Sequence, residues 1–148
     1  MPMPAVGQSA PWPDSITNQD GKPIRLKDLA GKNVLLYFYP KDDTPGCTLE
    51  ACNFRDHGAS FPNTVIFGAS LDDAASHQAF RAKHQLNFDL LVDPKRALAQ
   101  AMGALPEGAQ HTSRSSVLID PKGVVKAAWP KVDPKTHYQE VGRILSGA

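Results

Sequence analysis

The run Val34-Leu35-Leu36-Tyr37-Phe38-Tyr39, closed by Pro40, constrains this chain more than any other segment. A continuous apolar stretch this short cannot make a helix. Its β-favouring residues predict a strand buried on both faces, and such a strand lies inside a layered α/β sheet. Directly after it, Thr44-Pro45 offers a capping hydroxyl followed by a residue whose fixed φ suits a first helical turn. A helix is therefore predicted from Pro45 or Gly46 to about Gly58. It places Cys47 in its first turn, beyond the carboxyl end of the buried strand, where open α/β sheets carry their sites.

The rest of the chain repeats this alternation. Residues 1–14 hold four prolines and no periodicity, and read as an extended lead-in anchored by Trp12. Between Ile16 and Leu26 short β-prone ends flank Asp20-Gly21, which predicts a small hairpin. Strands are predicted at Thr64–Ser70, Asp89–Asp93, Ser115–Asp120 and Val124–Trp129. Helices are predicted at Asp72–Gln85, where Ala75, Ala79, Ala82 and Leu86 recur at near-helical intervals, then at Pro94–Met102 and Pro134–Ser146. The order describes a thioredoxin-like three-layer sandwich with a mixed central sheet and an N-terminal hairpin. At 148 residues the whole chain is expected to be one domain.

Composition narrows the function classes. Sixteen basic against fifteen acidic residues leave a formal charge of +1, so no field draws the chain to nucleic acid or an anionic membrane. No apolar run approaches the ~20 residues of a membrane helix. The first residues show neither a secretory signal nor an Arg-rich transit peptide, so a soluble, cytoplasmic protein is expected. Two cysteines, Cys47 and Cys52, are too few for a disulfide scaffold. In a reducing compartment they are either reactive or incidental.

A helix N-terminus presents unpaired N–H groups and the positive end of the dipole, which favour a thiolate over a thiol. Position alone leaves the alternative open, because a buried cysteine is also a common small apolar residue. The surrounding string, FYPKDDTPGCTLEACNFRD from Phe38 to Asp56, resembles the peroxiredoxins, and within them the bacterioferritin comigratory protein or PrxQ branch. Pro40, Thr44 and Cys47 meet the family motif, and Thr44 through Asp56 meet the form found in that branch. The likeness continues through VIFGASLDD, ASHQAFRAKHQLNFDLLVDP and SRSSVLIDPKGVV, so it covers most of the chain in order.

The resemblance implies a thiol-dependent peroxidase acting on hydrogen peroxide and organic hydroperoxides, without metal or other cofactor. Cys47 would attack the O–O bond and become a sulfenic acid. Thr44 would orient the peroxide, while Pro40 and Pro45 shape the pocket. Arg114 would favour the thiolate and the charge on the breaking bond. Glu50 would orient that arginine, and Gly46 would act as a hinge. Each has a plainer reading: a helix cap for Thr44, a surface strand residue for Arg114, a solvated helix residue for Glu50. Arg55 is a rival cation.

Cys52 would resolve the sulfenic acid as an intramolecular disulfide, reduced in turn by thioredoxin or glutaredoxin. In an ideal helix residues five apart have Cα atoms about 8.7 Å apart and turned by ~140°. That exceeds the ~7 Å limit for a disulfide, so the helix must open locally. The alternative is a one-cysteine cycle served by an external thiol, with Cys52 as packing. Rival functions are a disulfide reductase, which lacks its Cys-x-x-Cys spacing here, a zinc site from Cys47, Cys52 and His57, and a chaperone-like binding module. His77, His84, His111 and His137 read as surface or packing, with His111 near enough to Arg114 in sequence to tune it. A monomer is expected.

Overall fold

The computed structural model describes residues 3–146. The first two residues of the expected lead-in lie outside that range. Five strands, β1 (Asn33–Phe38), β2 (Thr64–Ala69), β3 (Asp89–Leu91), β4 (Ser115–Ile119) and β5 (Val125–Trp129), form one sheet in the order β3-β2-β1-β4-β5. β1, β2 and β3 run parallel, whereas β4 is antiparallel to β1 and to β5, so the sheet is mixed. The apolar run is thus the central strand. At Leu36 it pairs with Phe67 on one side and Val117 on the other.

Alternation along β1 feeds two cores. Leu35, Tyr37 and Tyr39 face one layer with Cys47, Ala51 and Phe54 of α1 (Pro45–His57), Phe80 of α2 (Ala74–Lys83) and Val141 of α4 (His137–Leu145). Val34, Leu36 and Phe38 face the other, with Leu98 and Ala99 of α3 (Ala97–Ala101), Met102 and the N-terminal Ile16. This is the expected three-layer arrangement of helices on both faces of the sheet. Trp12 anchors the lead-in by donating to the Ile24 carbonyl (2.9 Å) and meeting Phe67 edge-on.

The N-terminal hairpin differs in detail from the sequence reading, and α2 adds which face of its helix is buried. The N-terminal hairpin is reduced to one bridge, Thr17 with Pro23, around a turn at Gly21 (φ 80°). Pro23 has no N–H to extend a ladder, and Thr17 instead bonds Val92 beyond β3. In α2 the alanine periodicity marks a helix but not its buried face. Ala75, Ala79 and Ala82 are exposed, and His77 and Phe80 point inward. An alanine methyl has little area to bury, so the larger side chains decide which face turns to the core.

Candidate functional site

The site is built where β1 hands the chain to α1. After Tyr39 and the half-buried Pro40, the loop turns through Asp43 in a left-handed conformation (φ 61°) and enters α1 with Thr44 as N-cap and exposed Pro45 at the first helical position. The expected side-chain cap is not made. Thr44 Oγ1 donates back to the Lys41 carbonyl at 2.9 Å, so it does not cap an amide of the first turn. The amides of Gly46 and Cys47 have no intrahelical acceptor at this position, and among the described residues they find no other. They are left pointing out of the helix start, with the helix dipole behind them.

Cys47 is 1% exposed. Arg114, the residue before β4, reaches across from 67 positions away, and its Nη2 lies 3.4 Å from Cys47 Sγ. A thiolate there meets a charge-assisted donor. The other guanidinium nitrogen, Nη1, donates to Glu50 Oε1 at 3.1 Å. Glu50 is as buried as the cysteine, and burial pushes its carboxyl up to about 7 against the pull of Arg114. Burial opposes the Arg114 charge too, but its contacts with Cys47 and Glu50 outweigh that and hold it above its ordinary range. Glycine at position 46 has a steric reason, since a Cβ there would stand 3.1 Å from Arg114 Nη2.

Both thiols are free, and Cys52 lies half-buried further along the same intact helix. The rival cation Arg55 is engaged elsewhere. Its Nε pairs with Asp56 at 2.8 Å, which holds its charge above its ordinary range, and its Nη1 donates to the His84 carbonyl at 2.7 Å. The His84 ring meets Asp43 Oδ1 (3.0 Å), and Lys83 Nζ meets Asp43 Oδ2 (2.7 Å). Lys83, then His84, hold the exposed Asp43 carboxyl below its ordinary range. The end of α2 is thereby tied both to the loop before α1 and to its second half.

The structure brings Cys47, Thr44, Gly46, Glu50 and Arg114 to one end of α1. It does not bring Cys47, Cys52 and His57 together as ligands, because His57 stacks on Tyr138 at 4.3 Å instead. His111 is exposed. Among the described residues the group whose donor atoms converge is Asp42, Asp72 and His77.

That group belongs to a network the sequence reading missed. Asp42 Oδ1 accepts from Tyr39 Oη (2.5 Å), while its Oδ2 accepts from Ser76 Oγ (2.8 Å) and faces His77 Nδ1 (2.7 Å). His77 Nε2 lies 2.9 Å from the Leu91 carbonyl, which can only accept, so that nitrogen carries a proton. The Asp42 N–H donates to Asp72 Oδ2, which also accepts from Ser70 Oγ. The signal available in sequence was the i, i+3 pairing of His77 with Phe80 on one helical face.

His137 is the second buried histidine. It packs against Trp129 and Phe54, with Nδ1 3.3 Å from Glu140 Oε1. Burial holds it below its ordinary range, although Glu140 pulls the other way.

Comparison with known proteins extends this picture. Residues 6–128 match the AhpC/TSA family. A peroxiredoxin Bcp of Coxiella burnetii is 43% identical over 94% of this chain and 97% of its own. The peroxiredoxin Bcp of Bacillus subtilis is 41% identical over 95% and 94%. Among solved structures, the bacterioferritin comigratory protein of Xanthomonas campestris, studied for its alkyl peroxide reduction activity, superposes with a TM-score of 0.83 at 34% identity, covering 89% of each chain. A cysteine held at a helix start by an arginine from just before a distant strand thus sits in a chain alike over most of its length, and the protein belongs to the AhpC/TSA family as a thiol peroxidase of the Bcp/PrxQ peroxiredoxins.

Proposed function

We propose that residues 1–148 act as a single domain that reduces hydrogen peroxide and organic hydroperoxides through Cys47. The observation that carries this reading is the 3.4 Å contact between Arg114 Nη2 and a buried Sγ placed beside two free amides. The thiolate attacks the outer oxygen of the hydroperoxide, the O–O bond breaks, and Cys47 becomes a sulfenic acid. Thr44, whose proton is committed to the Lys41 carbonyl, offers its oxygen as an acceptor for the peroxide O–H. Arg114 and the amides of Gly46 and Cys47 meet the developing negative charge. Glu50 orients Arg114, and Pro40 and Pro45 border the pocket. The chemistry uses no metal or organic cofactor.

Cys52 then displaces hydroxide from the sulfenic sulfur, giving a disulfide and water, after α1 unwinds around Gly46. Thioredoxin or glutaredoxin reduces that disulfide. The protein works as a monomer in the cytoplasm, with neither nucleic acid nor membrane as partner. The intact helix between the two free thiols favours a second reading, in which an external thiol resolves Cys47. Mass spectrometry of peroxide-treated protein separates the two: a Cys47–Cys52 linkage supports the first, and sulfenic or mixed-disulfide Cys47 alone supports the second. Turnover of hydrogen peroxide and cumene hydroperoxide coupled to thioredoxin, its reductase and NADPH tests activity and reductant together.

A further inference from the structure

Cys47 and Glu50 compete for one guanidinium. Nη2 of Arg114 faces the sulfur and Nη1 faces the carboxylate, so two acids lie on one cation. Both acids are 1% exposed, whereas the Arg114 side chain keeps 21% of its surface toward solvent. A dry site with one positive charge readily supports one negative charge, and a second would be buried without a counter-ion. Glu50 Oε2 is buried with no hydrogen-bond partner, the place where a full negative charge is least supported. The high proton affinity that burial gives Glu50 agrees with this. From β1, the titratable group facing the site is Tyr37, whose hydroxyl is also unpartnered; burial pushes its ionisation well up, so it adds no charge. Two acids on one cation are coupled, so the state of one bears on the other.

We infer that Cys47 and Glu50 share one proton across Arg114, so that Glu50 is the protonated partner of the thiolate and surrenders its proton as the sulfur is oxidised. The inference rests on Cys47 being the sulfur that meets peroxide. The step then balances without an outside acid. Thiolate, hydroperoxide and protonated Glu50 become sulfenic acid, alcohol and ionised Glu50: the S–O bond forms as the O–O bond breaks, and the proton given up by the carboxyl balances the one the departing oxygen takes up. With hydrogen peroxide the alcohol is water. The anion held by Arg114 passes from sulfur to carboxylate in each turnover.

Infrared difference spectra of the wild-type protein, reduced minus peroxide-oxidised, test this directly. The C=O stretch of a protonated carboxyl group should be present in the reduced state, shift in D2O and vanish on oxidation, and Glu50→Gln should lack it. Glutamine still offers Arg114 an amide oxygen but holds no proton to give. The rate of reaction of Glu50→Gln with peroxide should fall about a hundredfold and lose its titration near neutral pH. A Gln variant as fast as wild type, or a wild-type carboxyl signal unchanged by oxidation, would overturn the shared proton. Cys47→Ser keeps this failure apart from that of the underlying reading. If it still turns over peroxide, Cys47 is not the reacting sulfur; if it is inert while the wild type shows no carboxyl signal, only the proton sharing falls.

Discussion

Two buried polar clusters lie at the end of β1, and they differ in how completely they are satisfied. Around Asp42 and His77 each carboxylate oxygen and each ring nitrogen has a partner, and the network ties the loop before α1 to α2 and to Leu91. Around Cys47, Glu50 Oε2 has none, and two amides of the first turn stay open. Closed networks rigidify a fold, whereas open valences at a helix start await something that arrives and leaves. On the function proposed above, the first cluster is scaffold and the second is the site of chemistry.

The sharpest way to break this contrast is Cys47→Ser. Peroxide turnover should fall by roughly three orders of magnitude or more, while circular dichroism and the unfolding midpoint stay close to wild type. Arg114→Ala comes next. It strands Glu50 in a dry site, and the rate constant for peroxide should drop about 10²–10³-fold in stopped-flow measurements. On the scaffold side, Asp42→Ala leaves the buried Tyr39 hydroxyl and His77 Nδ1 without their partner and should cost at least about 1–3 kcal/mol in denaturant unfolding. Any loss of peroxide rate well below its melting point should be far smaller than for Arg114→Ala. An Asp42 variant of full stability would erase the distinction between the two clusters.

Gly46→Ala sharpens the contrast at a smaller scale. Alanine favours a helix by about 0.8–1 kcal/mol over glycine, yet its Cβ would press on Arg114 Nη2. The expected outcome is a several-fold slower peroxide reaction in a protein no less stable. The smallest effect is on stability against pH. Unfolded His137 protonates near its ordinary value of 6.5, but the folded protein resists it. Its contribution is therefore present above that pH and lost as pH falls toward the folded value. Glu50 runs the other way: its folded value of about 7 exceeds the ordinary 4.5, so its contribution is full below 4.5 and fades as pH rises to 7. Unfolding measured across this range should show the acid-side loss shrink in His137→Phe and the opposite slope shrink in Glu50→Gln.

How much of this was legible beforehand depended on sequence separation. The central strand and the position of Cys47 in the first turn of α1 follow from a contiguous apolar run and its Pro-marked exit, which are local signals. Arg114 lies 67 residues from Cys47, and without the family likeness nothing in its own neighbourhood distinguishes it from a surface residue. The Asp42–His77 pair spans 35 residues, and beyond the placing of His77 on the Phe80 face of α2 nothing in the sequence joins it to Asp42, because a buried hydrogen-bonded pair leaves no periodicity of its own. The alanine spacing of α2 identified the helix but not its face, because period marks a helix and side-chain size chooses what it buries. Thr44 was read as a cap from its type, whereas the left-handed turn at Asp43 leads into a loop where its hydroxyl meets the Lys41 carbonyl instead.

Asp43 and Arg55 both fasten to His84, one to its ring and the other to its carbonyl. The stretch of chain from Thr44 to Phe54 is therefore a span with both abutments on a single pier. It can slacken in the middle without its feet drifting apart, so the opening of α1 proposed for the Cys52 cycle would stay confined to that span.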